Sequence, residues 1–229
     1  MNLPKILDNA IFIADAHYPH HGDEFYQLLV DIDSGVLKPS QIFLMGDIFD
    51  LLFGYNEYIK SFSLKAIELL NKISLKIPII YIEGNHDFSL ETIFKDISIY
   101  PQSQQPLYFD LDGKVVALSH GDLFDTPLSY RIYSKILRNR YTLTILKVWQ
   151  KSIIDYRMAK LAQKSICRKF IDFESKVDRI LNSYRDVDLV VEGHFHQGVK
   201  IKNYISLPSL ACQKQIATIE NGNFVFVDL

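Results

Sequence analysis

Short apolar runs rich in β-forming residues alternate with helical patterns through the first half of this chain, and no other feature constrains the fold as much. Strands are predicted at residues 10–14, 41–45 and 79–82. Helical patterns lie between them over residues 23–33 and 57–76, and Pro78 stops the second one. Strand–helix alternation of this kind predicts an α/β sheet with crossover connections.

The pattern changes after residue 107, where hairpins replace the alternation. Asp112-Gly113 lies between predicted strands at 108–111 and 114–119 and is typical of a type I′ turn. The C-terminal part continues in the same way, with a strand at 189–191, a pair of strands around Lys202-Asn203, and strands at 215–219 and 224–227 joined across Asn221-Gly222.

A long helical block interrupts these strands over residues 127–184. Thr126 as the N-cap and Pro127 at the first helical position are good signals for its start. A break is predicted at residues 139–142, followed by a helix over 143–170. We therefore predict a core formed by residues 1–126 and 185–229, with 127–184 as a helical cap over the site that the strand ends create.

The composition is that of an ordinary globular protein. Hydrophobic residues make up 48% and charged residues 23% of the 229 positions. No basic run precedes a long apolar stretch near the N-terminus, so we expect no signal peptide, and this sequence has no uninterrupted apolar stretch of about 18 residues. The two cysteines, Cys167 and Cys212, are too few for a disulfide framework and lack ligand-spaced partners. We therefore expect buried apolar cysteines in a reducing, cytoplasmic compartment.

Polar motifs follow five of the predicted strands, at the point where each strand ends. In chain order they are Asp15-Ala16-His17, Gly46-Asp47-Ile48-Phe49-Asp50, Gly84-Asn85-His86-Asp87, His120-Gly121-Asp122 and Gly193-His194-Phe195-His196. Ligands of an open α/β sheet bind beyond the carboxyl ends of its strands. Taken singly, each motif has an ordinary structural explanation, such as a helix cap, a turn or a core histidine. All five in this position and order predict one shared site.

The residue types of these motifs indicate metal ions. Carboxylate, amide and imidazole ligands together suit Mn²⁺, with Fe²⁺ or Zn²⁺ as alternatives, and argue against a thiolate site. In an extended backbone, an Asp-x-His or His-x-His pair would direct alternate side chains toward one point. Two metals bridged by a carboxylate can clamp the attacking and leaving oxygens of an in-line displacement. The motifs therefore predict a two-metal hydrolase that cleaves a phosphate ester or anhydride.

The same ordered set of motifs resembles the calcineurin-like metallophosphoesterases over nearly the whole chain outside the helical block. The resemblance implies a four-layer α/β/β/α sandwich with a helical cap insertion. It implies one metal bound by Asp15, His17, Asp47 and His196, and a second bound by Asp47, Asn85, His120 and His194. His86 matches the position that donates a proton or stabilises the transferring phosphoryl group, and Asp87 would orient it.

Charge is strongly segregated into the helical block. Residues 127–170 carry eleven basic side chains and one acid, Asp155, for a net charge of +10, which leaves −12 on the rest of the chain. Aliphatic and aromatic residues are interleaved with the basic ones. Such a cap suits an anionic amphiphile or an anionic membrane surface. The alternative is ordinary packing, with apolar residues against the core and lysines in solvent.

Chain length and the position of the insertion resemble one branch of the family, the UDP-2,3-diacylglucosamine diphosphatases of lipid A synthesis. That branch hydrolyses a lipid-linked nucleotide sugar to UMP and 2,3-diacylglucosamine 1-phosphate, and the resemblance implies peripheral contact with the inner membrane surface. The substrate contacts that it implies are Asn85, His86, Tyr130, Arg157, Lys160 and Lys164. Two positions depart from the branch: it commonly has Arg where this chain has His86, and Leu at Ala16.

Three other functions are weighed against that substrate. A soluble phosphatase or phosphodiesterase has less use for an apolar cap. A nuclease would need an extended basic groove, so a nucleic-acid partner is not expected. A non-enzymatic scaffold would have lost ligand residues, and none is missing in this sequence.

Overall fold

The computed structural model describes residues 3–123 and 150–229, together with Ser129, Lys135, Ile136 and Arg138. The strands, in chain order, are β1 (Ile11–Ile13), β2 (Ile42–Leu44), β3 (Leu52–Phe53), β4 (Ile79–Ile82), β5 (Asp87–Phe88), β6 (Ser98–Tyr100), β7 (Leu107–Leu111), β8 (Lys114–Ser119), β9 (Leu189–Glu192), β10 (Val199–Ile201), β11 (Tyr204–Ser206), β12 (Gln215–Glu220) and β13 (Asn223–Asp228). The helices are α1 (Glu24–Ser34), α2 (Glu57–Lys60), α3 (Leu64–Ser74), α4 (Gln150–Ala162), α5 (Phe173–Leu181) and α6 (Leu210–Gln213). None of the helices in the described ranges is long and apolar enough to span a bilayer.

The first sheet has six strands in the order β13-β12-β1-β2-β4-β6. Strands β1, β2, β4 and β6 are parallel, and β12 joins β1 antiparallel. Helices α1 and α3 cover its outer face, because apolar residues at helical spacing, such as Phe25, Leu29 and Ile32, pack on the outward side chains of β1 and β2. Gly35 ends α1 in the left-handed conformation that favours glycine.

The second sheet has five strands in the order β10-β11-β9-β8-β7. Its inner face meets the first sheet in a core where Val116, Leu118 and Val191 pack with Phe12 and Phe43. Its outer face, which includes Ala117, Val190 and Tyr204, is covered by α5. Successive side chains of each strand point to opposite faces of its sheet, so one face packs on helices and the other on the second sheet. The result is the predicted α/β/β/α sandwich.

Most predicted elements are confirmed, and the differences are local. The predicted I′ turn at Asp112-Gly113 and the predicted connection at Asn221-Gly222 both have positive φ at their two central residues. The helix predicted over 57–76 is interrupted by a 3₁₀ turn at Ser61–Ser63, so it forms α2 and α3. The short strands β3, β5 and β6 were not predicted.

The helical block is only partly described. The parts of this block and its start that lie outside the described residues are 124–128, 130–134, 137 and 139–149. They include Thr126, Pro127 and Tyr130. The prediction of a helix as far as residue 170 is wrong, because α4 ends at Ala162 and residues 164–170 run without helix. The backbone of these later residues bonds instead to the loop after β9, which a continued helix would prevent. The 127–184 boundary of the insertion stays a prediction.

The expectation for the two cysteines is also wrong. Cys167 and Cys212 form a disulfide across 45 residues of chain. Cys167 is exposed and Cys212 only half-buried, so neither is a buried apolar residue. The folded chain brings the two sulfurs together, and no local spacing in the sequence could have indicated that pairing.

Candidate metal centre

The motif residues occupy tight turns at the carboxyl ends of the strands. Positive φ angles occur at Asp15 (50°), His17 (46°), Asp47 (51°), His194 (59°) and His196 (54°). The expectation of extended backbone through Asp-x-His and His-x-His is therefore wrong. Left-handed residues turn the chain sharply, and Asp and His tolerate this conformation better than most non-glycine residues. Sparsely populated backbone angles of this kind concentrate at functional sites.

The first group of side chains joins the end of β1 to the loop after β9. Asp15, His17 and His196 each offer one ligand atom, and these atoms lie within 4.8 Å of one another. Nε2 of His196 is 3.2 Å from Oδ1 of Asp15. The rings of His17 and His196 have centroids 5.4 Å apart. Both sheets therefore contribute to this group, and it exists only in the folded sandwich.

The second group joins the end of β2 to the ends of β8 and β9. Asp47, His120 and His194 meet the same 4.8 Å criterion. Nε2 of His120 lies 3.5 Å from Oδ2 of Asp47 and 3.3 Å from Oδ1 of Asn85. Nδ1 of His120 is 2.9 Å from the carbonyl oxygen of Met45, which can only accept. The ring is thus held with Nε2 toward the centre of the group.

These groups are suited to divalent cations. Within the described part of the chain, Oδ1 of Asp15 and both ring nitrogens of His17 are buried without a hydrogen-bond partner. Buried polar atoms of this kind are costly unless something binds them. Burial and the nearby His120 lower the pKa of His194 to about 4, so its imidazole is neutral at pH 7, as a metal ligand must be.

The carboxylates of both groups remain ionised. Burial alone would raise the pKa of Asp47, but the imidazoles of His120 and His86 hold it well below its usual range. Burial likewise opposes ionisation of Asp15, and His196 lowers its pKa overall. Two ionised carboxylates among imidazoles and one amide form a donor set of oxygen and nitrogen, which fits two divalent ions.

Two glycines permit the close approach of the loops. A Cβ at Gly84 would lie 2.3 Å from both the backbone nitrogen and Oδ1 of Asp47. A Cβ at Gly46, where φ is +87°, would lie 2.4 Å from Nδ1 of His120. Any side chain at either position would displace the metal-binding groups.

Asp87 was expected to orient His86, but its carboxylate faces elsewhere. It accepts hydrogen bonds from five donors: the backbone N–H groups of Asp47 (3.0 Å), Ile48 (2.7 Å), Phe49 (3.3 Å) and Gly84 (2.8 Å), and the hydroxyl of Tyr81 (2.6 Å). Asp87 therefore fixes the turn that carries Asp47. The buried backbone donors of that turn require an acceptor, and the Asp87 carboxylate provides it.

His86 is held by a different partner. Its Nδ1 lies 2.6 Å from the carbonyl oxygen of Asp50, which makes Nδ1 the donor and leaves Nε2 for a ligand. Its backbone N–H donates to Oδ1 of Asp47 at 2.8 Å. Its ring lies 5.1 Å from the ring of His17, edge to face. His86 is thus close to both groups without belonging to either.

Sequence reasoning missed the residues behind the first group. Asp50 is buried, and its carboxylate lies 2.7 Å from Nδ1 of His20, 3.5 Å from Nδ1 of His17 and 3.6 Å from Nε2 of His21. Asp50 is part of the second motif, but no role in the site is predicted for it from the sequence. The clustering of three histidines within five residues was the available signal. Arg138 was also missed; from the helical block it donates to the carbonyl of Gly84 at 2.7 Å.

A pocket of about 330 Å³ opens over both groups. One side is formed by residues 164–170, here called the wall segment. The lining residues are His17, Asp47, Asn85, His86, Lys164, Ser165, Ile166, Arg168, Phe170, His194, Phe195 and His196. Of the predicted substrate contacts, Asn85, His86 and Lys164 line the pocket. Arg157 and Lys160 are exposed on α4 and are not in the lining, and Tyr130 lies outside the described residues.

The family model of the calcineurin-like phosphoesterases matches residues 9–198. The chain belongs to this family. It is a metal-dependent phosphoesterase, and the two groups at the strand ends are the candidate ligands for its divalent metals. The family resemblance of the ordered motifs is thereby confirmed.

Relatives of this phosphoesterase carry a more specific name. A protein named UDP-2,3-diacylglucosamine hydrolase from Hamiltonella defensa is 24% identical, over 91% of this chain and 85% of its own. A protein of the same name from Histophilus somni is 23% identical, over 83% of this chain and 85% of its own. Among solved structures, a dimetal phosphatase from Danio rerio is 14% identical with a TM-score of 0.46, covering 95% of this chain and 94% of its own.

Proposed function

We propose that this phosphoesterase hydrolyses the pyrophosphate bond of UDP-2,3-diacylglucosamine to UMP and 2,3-diacylglucosamine 1-phosphate, in lipid A synthesis. The observation that carries the proposal is the wall segment, which places two cations, Lys164 and Arg168, and the aromatic ring of Phe170 beside the metal centre. A pyrophosphate attached to an apolar group needs this combination. The names of relatives that match most of the chain support it.

The residues of the centre have distinct parts in that reaction. Asp15, His17, Asp47 and His196 would hold one divalent ion, and Asp47, Asn85, His120 and His194 the other, with manganese as the ion that we propose. Two such ions would neutralise phosphoryl charge and activate water. Asn85 and His86 face the same pocket, where Nε2 of His86 can donate a proton to the departing phosphate or bind its oxygens.

The exposed side of α4 and the wall segment fits peripheral contact with an anionic membrane surface, from which a lipid substrate would be taken. Ile153, Tyr156 and Ile171 are exposed apolar residues in this region. The exposed basic residues of the same region are Lys151, Arg157, Lys160, Lys164, Arg168 and Lys169. Apolar side chains among cations are typical of surfaces that insert shallowly into anionic bilayers.

The test compares two substrates and two pairs of substitutions of equal charge. Lys164→Ala with Arg168→Ala should raise KM for UDP-2,3-diacylglucosamine tenfold or more, about 1.4 kcal/mol. The same variant should hydrolyse bis-p-nitrophenyl phosphate almost normally, since that small diester does not need the wall segment. Arg157→Ala with Lys160→Ala removes the same charge outside the pocket and should change KM much less.

Three outcomes would count against the proposal. Absence of UMP formation by the manganese-loaded wild-type protein would refute the substrate. Equal losses by both double variants would mean that overall charge, and not the pocket, governs binding. Equal losses on both substrates would mean that the wall segment supports the metal centre only.

One observation favours a second function, a general phosphatase or phosphodiesterase acting on a smaller phosphorylated substrate. His86 stands where the diphosphatase branch commonly has Arg, and a single imidazole binds a pyrophosphate less firmly than a forked guanidinium. Under that alternative the protein would hydrolyse bis-p-nitrophenyl phosphate and leave UDP-2,3-diacylglucosamine intact.

A further inference from the structure

The wall segment is bonded by its backbone to the loop that carries two candidate metal ligands. The carbonyl oxygen of Ile166 lies 3.1 Å from Nδ1 of His196. Gln197 extends the contact, because its Nε2 donates to the carbonyl of Arg168 at 2.9 Å and its Oε1 accepts from the N–H of Phe170 at 3.1 Å. Three contacts within five residues of chain hold the segment in register with this loop.

The contact at Ile166 decides which nitrogen of His196 carries the proton. A carbonyl oxygen can only accept, so Nδ1 of His196 must be protonated in this geometry. The lone pair of the neutral ring is then on Nε2, the nitrogen that lies 3.2 Å from Oδ1 of Asp15 in the first group. Partners of this kind orient metal-binding histidines and raise their basicity.

A covalent link holds the wall segment at the same place. Cys167, the residue after Ile166, is joined to Cys212, whose Sγ is 3.7 Å from Nδ1 of His196. Cys212 belongs to α6, and that helix is anchored to the metal centre: Ser209 donates through Oγ to the carbonyl of Asp15 at 2.8 Å. The disulfide thus connects the wall segment to α6, directly beside one candidate ligand.

We propose that the Cys167–Cys212 disulfide is a clasp that positions His196 through the carbonyl of Ile166, so that the oxidation state of these cysteines sets metal affinity at the Asp15–His17–His196 group. In the disulfide form, Nε2 of His196 faces the metal position. In the dithiol form, the wall segment is no longer fixed to α6, the Nδ1 contact is made only part of the time, and the ring is free to change tautomer.

The interconversion is an ordinary thiol–disulfide exchange. A dithiol such as dithiothreitol supplies two electrons and two protons; the Cys167–Cys212 bond breaks, two thiols form, and the reagent closes to its own disulfide. Chemistry at the phosphoryl group is not involved. The inference rests on the metal centre and not on the identity of the substrate, so a failure of the proposed substrate would leave it standing.

Calorimetric titration of the metal-free full-length protein with Mn²⁺ tests the clasp without any activity measurement. The oxidised wild type, the wild type reduced with dithiothreitol and desalted under nitrogen, and the Cys167→Ser variant should be compared. We expect one of the two binding events to weaken tenfold or more in the reduced protein and in the variant, with the other nearly unchanged. Cys167→Ser is preferred to substitution of Cys212, because Cys167 is exposed and does not contact His196.

Ring ¹⁵N spectra of the histidines provide the readout that a purely structural disulfide would not change. His196 should show the Nδ1–H tautomer in the oxidised protein and a mixture after reduction, while His194 should not change. Cys167→Ser treated with dithiothreitol is the control and should show no further change in either measurement.

Several results would overturn the proposal. Unchanged Mn²⁺ affinity at both sites in a reduced, folded protein would show that the disulfide does not influence metal binding. Equal weakening of both sites, together with loss of the near-ultraviolet circular dichroism signal, would mean that the disulfide only stabilises the fold. Two free thiols in air-oxidised, denatured protein would show that the bond does not form.

Discussion

Replacing Asp87 with asparagine should destabilise the protein, although the change removes only one charge. Oδ1 of Asp87 accepts from the N–H groups of Asp47 and Gly84, and Oδ2 accepts from Ile48, Phe49 and the hydroxyl of Tyr81. An asparagine keeps one acceptor oxygen. Its amide nitrogen must face at least two buried backbone donors, whichever way the side chain is turned.

The magnitude follows from the number of donors left without a partner. Each buried unsatisfied donor costs about 1–3 kcal/mol, so two cost about 2–6 kcal/mol. Part of this is offset, because burial and the charge of Asp47 raise the pKa of Asp87, and the neutral asparagine avoids that desolvation. We expect Asp87→Asn to lower the free energy of unfolding by about 3 kcal/mol.

Tyr81→Phe is the matched control, because it removes one of the five donors and leaves the carboxylate with four. It should cost about 1.5 kcal/mol, the lower end for a hydrogen bond to a charged acceptor. Urea denaturation of the metal-free proteins measures both changes, provided that the slope with urea stays the same. If Asp87→Asn lowers the free energy of unfolding by no more than Tyr81→Phe does, the reasoning is refuted.

The same two variants can be compared by the amount of metal that they bind. The turn held by Asp87 carries Asp47, which belongs to the second candidate group and is proposed to bridge the two ions. Elemental analysis after manganese loading should therefore find less metal in Asp87→Asn than in Tyr81→Phe. Equal metal content in the two variants would mean that the turn keeps its shape without the carboxylate.

Three further predictions concern two residues of the site, His86 and Asp47, and the buried Glu83 that precedes Gly84 in the chain. His86→Ala should lower kcat by roughly 10²–10⁴ with two metals per chain retained, and metal loss in that variant would make His86 a ligand instead. Asp47→Asn should reduce both metal content and activity, the latter by several orders of magnitude; two tightly bound ions in that variant would exclude the bridging role. Burial raises the pKa of Glu83 from 4.5 to about 7, so the folded chain binds its proton more tightly than the unfolded chain does. The free energy of unfolding should fall as pH rises between these values, by at most about 3 kcal/mol from this group. Glu83→Gln should remove that slope in urea titrations at several pH values, and parallel profiles for variant and wild type would contradict the assignment.

The sequence alone was enough to predict most strands and helices and the strand ends, and the family resemblance implied how the layers are arranged. The periods of the apolar residues differ between strand and helix, so burial patterns along the chain indicate each element locally. The residues after β1, β2, β4, β8 and β9 were predictable as a shared site, because parallel strands present their carboxyl ends at one edge. The residue types at those ends then indicated metal.

Only the tertiary structure decided which groups support that site. Asp87 faces the turn of Asp47 rather than His86, Asp50 lies among three histidines, and the wall segment bonds to His196 instead of extending α4. These contacts join residues 29 to 40 positions apart, with no periodic pattern between them. The Cys167–Cys212 pair shows the limit most clearly: each cysteine has an unremarkable neighbourhood in the sequence, and only the docking of the wall segment onto α6 brings the two sulfurs within bonding distance. The local pattern of apolar and polar residues indicates whether a residue lies in a helix or a strand. Its partners in other elements depend on how all the layers pack together.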